Sequence, residues 1–130
     1  MWELTIRNDF SAAHQLRNYD GKCEQIHGHN WDVELVFRCG ELDARGIAMD
    51  FKDLQTIAHQ VLEQLDHTLL NETPPFTVEN PSAENVARHI YREIACRLLN
   101  RPCAIWKVVV HENPRSAAAY MEDAHGTGPA

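Results

Sequence analysis

His29-Asn30-Trp31-Asp32-Val33-Glu34-Leu35-Val36-Phe37-Arg38 is the stretch that decides the fold. His29, Trp31, Val33, Leu35 and Phe37 share one parity, and Asn30, Asp32, Glu34 and Arg38 take the other. A period of two is that of a strand with one face buried. An earlier run alternates in the same way, with Trp2, Leu4, Ile6 and Phe10 set against Glu3, Thr5, Arg7 and Asp9. The two runs predict an antiparallel pair, with the polar stretch from Arg17 to Glu24 as a functional loop between them.

Beyond the pair the period changes to that of helices. Asp50, in Met49-Asp50-Phe51, is placed to cap a helix whose apolar face is Leu54, Ile57, Ala58, Val61, Leu62 and Leu65. Pro74-Pro75 and Asn80-Pro81 mark a loop. Ser82 then caps a second helix, with Glu84 in its first turn and a stripe of Val86, Ile90, Ile94 and Leu98, and Arg101-Pro102 ends it. Ile105 to Glu112 is rich in β-formers and stops before the Asn113-Pro114 turn, and Ala117 to Met121 suits a last, weaker strand. The order ββααββ predicts an α+β fold, an antiparallel four-stranded sheet with two helices on one face. Residues 1–121 form one domain in this reading, and 122–130 a frayed tail.

Composition narrows the function. The chain has 130 residues, 44% of them hydrophobic, enough for one modest core. Twelve Lys and Arg against nineteen Asp and Glu give a net charge of −7, with no basic run, so nucleic acid and anionic membranes are poor partners. No apolar run is long enough to span a bilayer, and Met1-Trp2-Glu3-Leu4 does not open a signal peptide, which predicts a cytoplasmic protein. Cys23, Cys39, Cys96 and Cys103 show no CxxC spacing and are expected as free thiols, with Cys39 and Cys96 in the core.

The chemistry concentrates in Cys23-Glu24-Gln25-Ile26-His27-Gly28-His29. Histidines two apart on an extended backbone point to the same side, and Gly28 between them allows close approach. His14 shares the inward parity of Ile6 at the end of the first strand, so three imidazoles converge. Three nitrogens with no carboxylate nearby favour zinc with an open fourth position. Cys23 lies outside the apolar periodicity, and metal charge with Lys22 beside it would favour thiolate; a structural fourth ligand is the rival reading. Asp66-His67 follows the first helix, either as a carboxylate fixing an imidazole or as a histidine favoured at a helix C-terminus. Glu112 stands at the mouth of the sheet, where a carboxylate can grip a guanidine-like edge or simply be solvated.

These residues, in this order, resemble the 6-pyruvoyltetrahydropterin synthase and 6-carboxy-5,6,7,8-tetrahydropterin synthase family, whose fold is the tunnelling fold. The landmarks are Phe10 through His14, Cys23 through His29, Met49-Asp50-Phe51, Leu65-Asp66-His67, Asn80 through Asn85, and Glu112 followed by Tyr120. The resemblance covers nearly the whole chain. It implies zinc on His14, His27 and His29, Cys23 as proton acceptor, Asp66 with His67 as relay, and substrate contacts from Glu112, which anchors the pterin ring, and from Ser82 and Glu84. The short gap from Cys23 to His27 is similar to the carboxy-forming type. That type would convert 7,8-dihydroneopterin triphosphate to 6-carboxy-5,6,7,8-tetrahydropterin, acetaldehyde and triphosphate, on the route to queuosine. The alternatives are an enzyme that stops at 6-pyruvoyltetrahydropterin and a non-catalytic zinc- or pterin-binding protein. Ser82 replaces a common threonine, and His111 precedes Glu112, two departures from the pattern. The resemblance also implies trimers stacked as a homohexamer, with Asp66 and His67 reaching a neighbour's Cys23.

Overall fold

A computed structural model describes residues 1–122. Two long strands, β1 (Trp2–His14) and β2 (His27–Cys39), run antiparallel in register from Trp2 against Cys39 to His14 against His27. Helix α1 (Phe51–Leu62), the short strand β3 (Thr68–Leu69), helix α2 (Ala83–Arg97), β4 (Cys103–Asn113) and β5 (Ser116–Tyr120) follow. The sheet order is β3-β1-β2-β4-β5.

Alternation places the core. Ile6, Phe10 and Ala12 of β1, Trp31, Val33, Leu35 and Phe37 of β2, and Val108 and Val110 of β4 are buried on the side where α1 and α2 pack. The helices meet them with the expected faces, Leu54, Ile57, Ala58, Val61 and Leu62 from α1, and Val86, Ile90 and Ile94 from α2. Both caps are those read from sequence: Asp50 accepts the Lys52 N–H at 2.8 Å and Ser82 accepts the Asn85 N–H at 3.2 Å. At Trp106 the β2–β4 register shifts, Val36 facing Lys107 and Phe37 facing Ile105. This bulge changes the phase of β4, so Cys103 and Ile105 before it and Val108 and Val110 after it all reach the core.

The structure corrects the expected architecture at several points. The sheet has five strands, and β3 pairs parallel with β1 at Ala12 and Ala13, so the sheet is mixed. Two residues carry no readable period, which is why sequence missed β3. Helix α2 stops at Arg97, four residues before Arg101-Pro102. The cysteines are not all free: Cys39 and Cys103 form a disulfide. The register makes them direct partners on β2 and β4 with Cα atoms 4.5 Å apart, although 64 residues separate them in sequence. Cys96 is exposed rather than in the core, and Cys23 and Cys96 are the free thiols among the described residues. Of the expected tail, Glu122 accepts hydrogen bonds from Tyr120 and Arg92, and 123–130 lie outside the described residues. No helix among the described residues is long and apolar enough to cross a membrane.

Candidate metal centre

His14 ends β1 and His27 begins β2, directly opposite each other, and His29 lies opposite Ala12. Cross-strand partners share a face, so all three imidazoles emerge on the helix side at one end of the sheet. One ligand atom from each lies within 4.8 Å of the other two. Trp31 forms the floor, edge-on to His14 at 4.9 Å and to His29 at 5.4 Å between ring centres, with its Nε1–H bound to the Ala12 carbonyl.

The hydrogen bonds decide which nitrogens are available. His14 Nδ1 lies 2.7 Å from the Pro81 carbonyl and His27 Nδ1 lies 2.8 Å from the Gln25 carbonyl. A carbonyl only accepts, so both Nδ1 atoms carry protons and both Nε2 atoms present lone pairs. These two Nε2 atoms face each other at 3.1 Å. His29 Nε2 is buried and has no hydrogen-bond partner. Burial holds the His29 pKa below the ordinary imidazole value, against the opposing pull of Glu112, which keeps the ring neutral as a ligand must be. The inward Nε2 atoms of His14 and His27, together with the unpartnered His29 Nε2, fit a divalent cation. Ligands about 2.0 Å from a tetrahedral zinc would sit about 3.3 Å apart.

The expectation of a site without a carboxylate is not met. Alternation along β4 sends Glu112 to the same side as Val108 and Val110, and its Oε1 lies 3.3 Å from His14 Nε2 and 3.7 Å from His29 Nε2. Glu24 Oε1 stands 3.9 Å from His27 Nε2.

Sequence reasoning missed the brace behind His14. Arg17 donates to the carbonyls of Asn71, Phe76 and Glu79, while Asn80 and Arg17 exchange two hydrogen bonds through the Asn80 side chain and the Arg17 backbone. This network fixes the 71–81 loop, and through it the Pro81 carbonyl that orients His14. Asn80-Pro81 was readable as a turn, but a backbone acceptor leaves no residue-type signal.

The other predicted site residues are not gathered here. Cys23 is exposed in the loop between β1 and β2 and is not among the converging ligands. Asp66 and His67 form a pair, Oδ2 to Nδ1 2.9 Å, at the β3 edge. Asp66 Oδ1 also accepts the Ser11 N–H at 2.8 Å, the main reason its pKa falls below the ordinary carboxylate value. His67 is 82% exposed; with Ser11, Ala13, Gly28, His29 and Asn30 it lines an open cleft. Ser11, Ala13, Gly28 and Asn30 have the parity of the face turned away from the helices, whereas His29 has that of the helix face. Ser82 is occupied as a cap next to Pro81, and Glu84 is exposed in the first turn of α2.

Residues 3–123 match the family described as 6-pyruvoyl tetrahydropterin synthase. The chain is 40% identical over 110 residues, 85% of its length and 87% of the relative's, to a candidate 6-carboxy-5,6,7,8-tetrahydropterin synthase of Archaeoglobus fulgidus. It is 33% identical to the 6-carboxy-5,6,7,8-tetrahydropterin synthase of Bacillus subtilis over 92% of this chain and 84% of that one. Among solved structures, the 6-pyruvoyl tetrahydropterin synthase of Caenorhabditis elegans superposes with a TM-score of 0.80, covering 94% of this chain and 96% of that one, at 24% identity. That likeness speaks for the tunnelling fold.

Proposed function

Because the chain belongs to the 6-pyruvoyl tetrahydropterin synthase family, we propose that it is a zinc-dependent lyase acting on 7,8-dihydroneopterin triphosphate. With one water consumed, the products are 6-carboxy-5,6,7,8-tetrahydropterin, acetaldehyde and triphosphate, a precursor step towards queuosine in the cytoplasm. The observation that carries the reading is the convergence of three lone-pair-bearing histidine nitrogens beside Glu112 at one end of the sheet.

His14, His27 and His29 would hold the ion. Zinc, when bound, supplies a Lewis acid that polarises the substrate's side-chain oxygens and acidifies the neighbouring C–H bonds. Cys23, as thiolate, removes a side-chain proton, and His67, kept in one tautomer by Asp66 on Nδ1, offers Nε2 for a second transfer. Glu112 pairs with the amino-pyrimidinone edge of the ring through two hydrogen bonds. Ser82 and Glu84, at the start of α2 just after Pro81, would contact the substrate.

In one chain His67 pairs with Asp66 at the β3 edge, and Cys23 lies exposed in the loop between β1 and β2. The family likeness implies that the relay serves a neighbour's Cys23. Pairing β3 covers only Ala12 and Ala13 of β1's outer edge, and among the described residues no strand pairs with β5 on the opposite edge, so both edges invite another chain. A homohexamer of two stacked trimers satisfies both requirements.

The test is product identification from dihydroneopterin triphosphate with the zinc-loaded protein. Acetaldehyde and the 6-carboxy product in equal amounts are expected. Triphosphate release without acetaldehyde would make it a 6-pyruvoyl-forming enzyme, the activity named for a Drosophila melanogaster relative 32% identical over 90% of this chain. No consumption at all would leave a binding protein.

A further inference from the structure

We infer that in the substrate-free protein Glu112 supplies the fourth ligand to the metal held by His14, His27 and His29, and that a bound pterin ring withdraws it. The inference rests on the pterin reading above for its second half only.

Glu112 reaches the centre from a third strand. Its Oε1 is 3.3 Å from His14 Nε2, about the spacing of two ligands in one tetrahedral zinc shell, and 3.7 Å from His29 Nε2. Among the described residues the carboxylate has no Lys or Arg partner; its ion-pair neighbours are these two imidazoles. His14 is fully buried with Nδ1 on the Pro81 carbonyl, so Nε2 is the atom it turns to Glu112. The other nearby acid is already committed: Glu24 Oε1 accepts the Leu16 N–H at 3.1 Å, and the Glu24 carbonyl accepts from Gln15, so Glu24 braces its loop.

The same carboxylate then has two exclusive partners. Ligation closes the metal's open position in the resting protein and lowers the charge of the site by one. A ring presenting an amidine-like edge competes for Glu112, and its binding opens the position to the side-chain oxygens that arrive with it. A ligand lacking that edge leaves the position closed, so metal access becomes selective for the ring.

Cobalt(II) in place of zinc gives visible bands that report the ligand set. Glu112→Gln, close in shape, retains the three histidines; it is expected to bind cobalt at least tenfold more weakly and to show altered bands. Pterin without a side chain at C6, which brings no oxygen for the metal, is expected to move the wild-type bands to those of the variant and to leave the variant's unchanged. Metal-free protein is expected to bind this pterin more tightly than cobalt-loaded protein, by the same factor by which pterin weakens cobalt binding. Identical bands and affinity in wild type and Glu112→Gln would overturn the ligation. Bands that differ but stay fixed under saturating pterin, with binding confirmed by fluorescence, would overturn the exchange. These readouts need no turnover, so a failure of the lyase reading is seen separately, in the product assay.

Discussion

At the scale of single residues, the centre is defined by which nitrogen atoms are left without protons. His14 and His27 are oriented by backbone carbonyls at Nδ1, and His29 Nε2 is buried without a partner. His29→Ala should therefore abolish stoichiometric metal while the fold stays intact, measured by metal analysis alongside circular dichroism. Full occupancy in that variant would show that the ion sits elsewhere. Cys23 is separate from the converging ligands, so Cys23→Ala should keep its metal and lose most turnover, on the order of 100-fold or more, as expected for removal of a proton acceptor. Loss of metal along with activity would instead make Cys23 a ligand. His14, His27 and His29 were readable in the sequence because the period of two fixes their side. Glu112's place at the centre was hidden, since it depends on the register of β4 against β2 across more than seventy residues.

Among the elements, the β1–β2 pair sets the site and the 71–81 loop tunes it. The pair was legible from alternation, and both helices from their caps and stripes. Strand β3 was not, because two residues have no period, and neither was the disulfide, because only strand register brings Cys39 to Cys103. The Arg17 brace gives the loop a measurable role. Arg17→Ala should free the Pro81 carbonyl, let His14 turn, and weaken metal binding by about 10- to 100-fold, the usual effect of losing support for a metal-bound histidine. Competition with a chelator measures it; an unchanged affinity would show that Pro81 is held without Arg17. Trp31, fully buried beneath the histidines, is the packing counterpart, and Trp31→Ala should cost about 3–5 kcal/mol in urea unfolding.

For the whole molecule, thiol counting and assembly are the tests. The structure leaves Cys23 and Cys96 free and bridges Cys39 to Cys103, so denatured, unreduced protein should titrate two thiols per chain and reduced protein four. Four before reduction would remove the bridge. Assembly could not be read from residue periodicity, but sheet edges left unpaired among the described residues give it a physical reason, and the proposed Asp66–His67 relay gives it a test. Cys23→Ala and His67→Ala chains should each be inactive, and co-refolding the two with zinc should restore part of the activity, since mixed assemblies contain sites with both residues intact. No recovery in well-formed mixed assemblies would place the relay and the thiol on one chain.

The central claim is that one metal at His14, His27 and His29 carries the reaction, and zinc titration of metal-free protein tests it most directly. Acetaldehyde formation from dihydroneopterin triphosphate should rise in proportion to added zinc and level off at about one ion per chain. Full turnover without metal, or a plateau reached with no zinc retained on the protein, would contradict it.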